Sequence, residues 1–221
     1  NAVAATGKPV VVLLVGGSAI TMDKWINNVP AILDVWYPGE DGGNAVANIL
    51  FGDKNPAGRL SITFPVFEGQ LPLVYNHKPT GRSDDYTNLN GAPLFPFGYG
   101  LSYSTFEYSN IRFDKKQIGK AETTKVYCTI KNTSNIDGDE VVQLYVRDVL
   151  ASIAQPIKQM KGFQRISLKA GESKEISFEI NKETLQMLNG DMKWVVEPGD
   201  FRIMIGASSR DIKLRDILKV V

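Results

Sequence analysis

Two stretches in the second half of the chain decide its fold: residues 126–130 read VYCTI and residues 141–146 read VVQLYV. Both are short and rich in β-branched and aromatic side chains, and the first alternates in the way typical of a half-buried strand. Cys128, in the middle of that strand, is expected to be a buried structural thiol. Similar patterns predict further strands at Ile176–Ile180, Trp194–Val196 and Phe201–Ile205.

Turn signals separate these strands. They lie at residues 135–138 (NIDG), 169–172 (KAGE), 189–190 (NG) and 198–199 (PG). About seven short strands without paired cysteines are typical of an immunoglobulin-like or fibronectin type III sandwich. The sequence therefore predicts an all-β sandwich over residues 106–221. Tyr145 and Trp194 are expected to pack in its core or across strands rather than to form a sugar-binding platform.

Residues 1–65 follow an α/β pattern. The apolar run 9–15 (PVVVLLV) and residues 31–36 (AILDVW) predict parallel strands, and residues 44–51 predict a helix that Asp41 caps and Gly52 ends. Residues 60–64 (LSITF) predict an edge strand. A doubly wound sheet normally has more strands and helices on both faces, so this α/β part is incomplete.

Residues 66–105 are a long connection rich in proline, glycine and aromatic side chains. Loops of this length inside compact domains are often functional. Asp84, Asp85 and Tyr86 are the candidate substrate-binding residues here, with Arg82 beside them, because a tyrosine ring can stack on a sugar while carboxylates accept hydrogen bonds from hydroxyls. The alternative interpretation is a solvated surface loop.

Composition excludes several classes of function. The net charge is +1, from 25 basic and 24 acidic residues, which argues against nucleic acid or an anionic membrane as the main partner. No apolar run is long enough to span a bilayer. With one cysteine and one histidine, Cys128 and His77, no ordinary zinc site can form, and we expect no metal and no cofactor. The segment Gly16-Gly17-Ser18 lacks the full dinucleotide-binding pattern.

A set of motifs resembles glycoside hydrolase family 3, of the β-glucosidase type. The resemblance covers essentially the whole chain. Its motifs are residues 36–47 (WYPGEDGGNAVA), 50–60 (LFGDKNPAGRL), 63–65 (TFP), 93–103 (PLFPFGYGLSY), 140–146 (EVVQLYV), 161–163 (KGF) and 198–201 (PGDF).

The resemblance implies a place for each part of the chain. Residues 1–65 would be the C-terminal portion of an α/β-sandwich domain, residues 66–105 the connection, and residues 106–221 a fibronectin type III-like domain. In this family an aspartate nucleophile lies in an N-terminal barrel and a glutamate acid/base in the α/β sandwich. Retaining hydrolysis needs both carboxyl groups about 5–5.5 Å apart. No carboxylate here matches either role, so the chain is expected to be catalytically inactive alone.

Three functions compete at this stage. The first is a non-catalytic C-terminal fragment of an exo-glycosidase that acts on β-linked glucosides or oligosaccharides, is exported to the periplasm or outside the cell, and needs its missing barrel and sandwich half as partners. We expect the isolated fragment to be aggregation-prone, partly disordered N-terminal to about residue 65, or oligomeric. The second is a stand-alone carbohydrate-binding or structural module, and the third is a small enzyme on a Rossmann-like scaffold. The missing fingerprint and the incomplete sheet argue against the third.

Overall fold

The computed structural model describes residues 1–80 and 90–221, and these fall into two compact units. The described residues of the first unit are 1–54, 62–73 and 90–95. Those of the second are 55–61, 74–80 and 96–221. The predicted site residues Arg82, Asp84, Asp85 and Tyr86 lie outside the described residues.

The described part of the first unit contains a parallel pair of strands followed by a helix. The strands are β1 (Val11–Val15) and β2 (Ala31–Trp36), and the helix is α1 (Gly42–Leu50). Short 3-10 helices span Ala4–Thr6, Ile26–Asn28 and Glu68–Gln70. The two predicted strands and the predicted helix are confirmed to within two residues at each end. Gly52 adopts a positive φ of 85° directly after the helix, a conformation that glycine permits without steric penalty.

One face of the parallel pair is open. Leu14 is buried, whereas Val11, Leu13 and Val15 on the opposite face of β1 are 47%, 43% and 63% exposed. Parallel strands are ordinarily covered on both faces, and a continuous apolar run such as 11–15 is the sequence pattern of that situation. Strand β1 therefore has the composition of a strand buried on both faces, although one of its faces is exposed.

Two local predictions for the first 65 residues are wrong. Residues 60–64 do not form a strand, because their backbone pairing is not continuous. Leu60 exchanges hydrogen bonds with Gly98 and Tyr99, whereas Phe64 forms an isolated antiparallel bridge to Phe95. Asp41 precedes α1, but its carboxylate accepts a 2.6 Å hydrogen bond from the Asn44 side chain and caps no backbone N–H.

The second unit is a β-sandwich. Its described strands are β3 (Phe106–Phe113), β4 (Gln117–Ile118), β5 (Thr124–Asn132), β6 (Gly138–Asp148), β7 (Gln159–Leu168), β8 (Ser173–Ile180), β9 (Met187–Leu188), β10 (Trp194–Val195), β11 (Gly199–Gly206) and β12 (Ile212–Val220), with helix α2 (Lys182–Leu185) before β9. One sheet has the order β4-β12-β11-β6-β7 and the other β3-β5-β8, while β9 and β10 form a separate antiparallel pair. The all-β sandwich predicted for this half is confirmed.

The sandwich core comes from alternate residues of facing strands. On β5, Val126, Cys128 and Ile130 are fully buried, and on the facing sheet Ile203 and Ile205 are equally inaccessible. The predicted burial of Cys128 is therefore confirmed. Because side chains alternate along a strand, the neighbours of these residues point away from the core.

The two aromatic residues singled out in the sequence differ in their environments. Tyr145 is completely buried, as predicted. Trp194 is 62% exposed and lies outside the core, so of the two arrangements expected for it only a cross-strand position remains, opposite Leu188. It lies in the two-residue strand β10, whose only described partner is β9, and this small ladder leaves the indole open to solvent.

Candidate functional site

The long connection is the candidate site, and the structure describes both of its arms. The first arm runs to Thr80 and the second begins at Asn90. The predicted substrate-binding residues lie outside the described residues. The described groups that hold the two arms belong partly to the first unit and partly to the second.

In the second unit, a stack of aromatic rings anchors both arms to the outer face of the five-stranded sheet. Tyr75, from the first arm, stacks on Phe97 from the second with ring centroids 4.3 Å apart, and its ring edge meets Tyr145 of β6 at 5.9 Å. The Met160 backbone N–H donates a 3.1 Å hydrogen bond to the Tyr75 hydroxyl. The Ile157 N–H donates to the carbonyl of His77 at 3.0 Å. Both arms are therefore held against β6 and β7.

The Gln143 side chain, on β6, binds the second arm through hydrogen bonds. Its Nε2 donates to the carbonyl of Gly98 at 3.0 Å and to that of Ala207 at 2.7 Å, and its Oε1 accepts from the buried Tyr145 hydroxyl. Gly98 has a φ of 80°, and a Cβ there would lie 2.1 Å from Gln143 Oε1. Only glycine fits this approach. Burial raises the pKa of Tyr145, which keeps its hydroxyl protonated as the donor.

In the first unit, backbone contacts tie the two arms together at residues 64–70 and 92–95. Phe64 is buried and its ring meets Phe95 edge-on at 6.3 Å and Trp36 at 6.2 Å. Gln70 bridges the arms, because its Oε1 accepts from the Val66 N–H at 2.6 Å and its Nε2 donates to the Ala92 carbonyl at 3.1 Å. The base of the connection is thus a packed structure.

Asn55 is the hub at which the family-like motif NPAGRL joins the sandwich unit. Its Nδ2 donates to Ser104 Oγ at 2.8 Å and to the Asp137 carbonyl at 2.9 Å. Its Oδ1 accepts from the Ser102 hydroxyl and from the Tyr103 N–H, both at 2.9 Å. All four hydrogen bonds reach residues at least 47 positions away. Asn55 therefore attaches the motif to distant residues that the sequence alone does not identify as its partners.

Arg59 extends the same motif into a buried ion pair. Its guanidinium contacts Glu140 Oε2 at 2.7 Å, and the two side chains are only 8% and 3% exposed. The hydroxyl of Tyr108 donates to the other carboxylate oxygen at 2.6 Å. Burial, followed by the Glu140 charge, raises the pKa of Tyr108, so the hydroxyl stays a donor. The three groups form one buried network.

Over residues 1–80 and 90–221, no group of three or more His, Cys, Asp or Glu side chains is arranged to hold a metal ion. In the same ranges, no helix has the length and apolar character needed to cross a membrane. Sequence reasoning assigned no role to Gln143 or to the Arg59–Glu140 pair, although these residues lie within the motifs at 50–60 and 140–146. The aromatic density of the connection, to which Tyr75 belongs, was the signal for its packing.

Comparisons with known proteins show which families and solved structures this chain is similar to. Residues 1–103 match the model of the glycosyl hydrolase family 3 C-terminal domain, and residues 140–209 match the fibronectin type III-like domain. A beta-xylosidase of Formosa agariphila is 45% identical over 98% of this chain and 30% of its own length. A periplasmic beta-glucosidase of Salmonella typhimurium is 41% identical over 96% of this chain and 29% of its own length. A solved beta-glucosidase from Erythrobacter marinus superposes on 100% of this chain with a TM-score of 0.95 and 42% identity, over 29% of its own length.

The fold and these matches define the two parts of the chain: a glycosyl hydrolase family 3 C-terminal domain and a fibronectin type III-like domain. Residues 1–103 carry the C-terminal domain of glycosyl hydrolase family 3, which confirms the resemblance seen in the motifs. The chain spans about 30% of the length of the relatives it matches.

Proposed function

We propose that this chain is the non-catalytic C-terminal part of a β-glucosidase-type exo-glycosidase, whose nucleophilic aspartate and acid/base glutamate lie upstream. The observation that carries the proposal is its end-to-end match, at 41–45% identity, to the corresponding part of a beta-glucosidase and a beta-xylosidase. The substrate of the whole enzyme is a β-linked glucoside or oligosaccharide, and hydrolysis proceeds with retention. A stand-alone module is disfavoured, because the match spans domains that these relatives carry together.

The first unit is, on this proposal, the end of an α/β-sandwich domain within residues 1–65. Support comes from the parallel pair β1–β2 and from the exposed apolar face at Val11, Leu13 and Val15. A two-stranded sheet needs further strands or packing for stability. The missing half of the sandwich, together with the barrel, is the partner that covers this face.

The connection over residues 66–105 contributes to the substrate pocket. We assign substrate contact to Arg82, Asp84, Asp85 and Tyr86, with the tyrosine stacking on a sugar ring and the carboxylates accepting from hydroxyls. The rigid anchoring of both arms supports this role, because binding residues are most often carried by loops on a fixed scaffold. A loop fixed at its base can position side chains with little loss of entropy on binding.

We place the parent enzyme in the periplasm or outside the cell. The relative from Salmonella typhimurium is named a periplasmic beta-glucosidase, and this supports the assignment. The isolated chain, with one sheet face uncovered, is expected to self-associate, since large exposed apolar surfaces promote association.

The pocket assignment is tested by substitution in the full-length protein, with release of p-nitrophenol from an aryl β-glucoside as the readout. Tyr86→Ala removes the stacking surface and is expected to raise KM roughly tenfold with a smaller change in kcat, as for lost ground-state binding. Phe163→Ala, at a residue 63% exposed on the sandwich, is the matched control and leaves both constants unchanged. If the two variants have equal KM and kcat, the assignment of the connection to the substrate pocket is wrong.

A further inference from the structure

A groove with dense positive charge lies on the outer face of the five-stranded sheet. It has a volume of about 770 Å³ and nine lining residues, among them Arg147, Lys158, Arg202, Met204, Arg215 and Ile217. Four of the nine are cationic, and Asp216 is the one acidic residue among them. The groove begins beside Tyr145, which the register places opposite Met204, and so lies next to the region that the aromatic stack covers.

Strand register holds the cations at fixed spacing. Arg147 of β6 lies directly opposite Arg202 of β11, and Arg215 of β12 is opposite Met204, one outward position along from Arg202. Directly opposed residues of antiparallel strands are about 5 Å apart and diagonal neighbours about 7–8 Å. Like charges directly opposite each other destabilise a sheet. The Arg147–Arg202 pair is therefore not explained by the stability of the fold.

Lys158 adds a fourth cation at the same place. Its ammonium donates a 2.6 Å hydrogen bond to the Ser209 carbonyl, which holds it at the side of the groove. Burial lowers the pKa of Lys158, and the charges of Arg210, Arg215 and Arg147 lower it further. These charges are thus close enough to repel one another.

Nothing in the described part of the chain neutralises this cluster. The one acidic residue of the lining, Asp216, already pairs with Lys116 at 2.7 Å. None of Arg147, Lys158, Arg202 and Arg215 forms a salt bridge with a described carboxylate. The groove therefore presents a positive field with free guanidinium groups, which suit bidentate contact with carboxylates.

The floor of the groove narrows the choice of ligand. Met204 is buried at its base, and Ile217 is 39% exposed on the same face. Among the described lining residues none is aromatic, so the groove lacks the ring on which a neutral sugar stacks. A ligand with carboxylates on either side of an aliphatic group suits this groove. The carboxylates would pair with the cations, and the aliphatic group would contact the apolar surface of Met204 and Ile217.

We propose that this groove docks an acidic polypeptide segment in which carboxylates flank an aliphatic side chain. Its carboxylates pair with Arg147 and Arg202, and its aliphatic side chain contacts Met204 and Ile217. The segment belongs to a separate partner protein.

The test uses fluorescence anisotropy with a labelled peptide of glutamates interrupted by leucines, and with a matched peptide of glutamines and leucines. The acidic peptide binds the chain and the neutral peptide does not. Binding weakens about tenfold for Arg202→Gln and further for Arg147→Gln with Arg202→Gln, since each lost charged hydrogen bond removes about that factor. It also weakens at about 1 M salt, where charges are screened within about 3 Å.

Lys131→Gln is the matched control, because Lys131 is exposed on β5 of the other sheet. It leaves affinity within about twofold of the unsubstituted chain, because Lys131 is not among the residues that line the groove and exposed charges outside a site are screened by salt. Equal affinity for the neutral peptide, or an equal loss in the Lys131 variant, would overturn the proposal. Tighter binding of tetragalacturonate than of the acidic peptide would instead assign the groove to an anionic glycan. Dissociation of dimers by Arg202→Gln, seen by sedimentation, would assign it to a second copy of the chain.

Discussion

Replacing Glu140 by glutamine removes the negative charge from the buried network and leaves the Arg59 guanidinium charged. The two side chains are 3% and 8% exposed and 2.7 Å apart, so water cannot take over the lost interaction. Removing one partner of a buried ion pair costs about 3–5 kcal/mol, because the remaining charge stays desolvated. We therefore expect Glu140→Gln to lower the stability of the sandwich unit by about that amount.

Differential scanning calorimetry measures this change. For a unit of this size, each kcal/mol shifts Tm by about 2–4 °C, so the expected fall is about 6–20 °C. Tyr108→Phe leaves the second carboxylate oxygen without its donor and is expected to lower stability by about 1–3 kcal/mol. Joint replacement of Arg59 and Glu140 by methionine removes both buried charges and recovers most of the loss, as for other apolar replacements of buried pairs.

The exposed pair Arg112–Glu175 is the matched control. Its side chains are 50% and 48% exposed at a similar distance of 2.8 Å. Such pairs contribute about 0–1 kcal/mol, so Glu175→Gln shifts Tm by no more than about 4 °C. The reasoning is refuted if Glu140→Gln and Glu175→Gln lower Tm equally, or if the double methionine variant is less stable than Glu140→Gln.

Three further outcomes are expected. Tyr75→Phe removes the acceptor of the Met160 N–H, a loss of roughly 1 kcal/mol, so exchange of that amide accelerates about fivefold by NMR, and an unchanged rate would contradict the anchoring role. Burial raises the pKa of Cys128 to about 12, so iodoacetamide at pH 8 labels it only after unfolding, and labelling at the rate of a free thiol would contradict its burial. The Ser167 hydroxyl, followed by Arg165, lowers the pKa of Asp139 below its unfolded value of about 3.9. The contribution of Asp139 to stability is therefore present above that pH and lost as pH falls through the lower folded pKa. Asp139→Asn is expected to flatten the fall in Tm on acidification, and a pH profile identical to that of the unsubstituted protein would exclude the effect.

Elements with strong local patterns could be predicted from the sequence. The strand at residues 126–130 was recognisable because apolar and polar residues alternate, and the strand at 31–36 because β-branched and apolar residues cluster between turn signals. The long strands β3, β7 and β12 were missed. In each of them charged residues such as Glu107, Lys161 and Arg215 interrupt the run, and alternation is visible only once the sheet partner is known.

The candidate site was less accessible to sequence reasoning because its contacts are long-range. The Arg59–Glu140 pair joins residues 81 positions apart, and the Tyr75 hydroxyl meets the N–H of Met160, 85 positions away. No local pattern encodes such distances. The edge strand expected at 60–64 failed for the same reason, since residues 98–99 provide the backbone partners of Leu60.

The most direct measurement is hydrolysis of p-nitrophenyl β-D-glucopyranoside and β-D-xylopyranoside by the full-length protein and by this 221-residue chain, with the first-formed sugar anomer followed by proton NMR. We expect the full-length protein to release the β-anomer first, as retention requires, and the chain alone to leave both substrates intact. Turnover by the isolated chain, or release of the α-anomer first by the full-length protein, would contradict the proposal that the chain is the non-catalytic end of a retaining glycosidase.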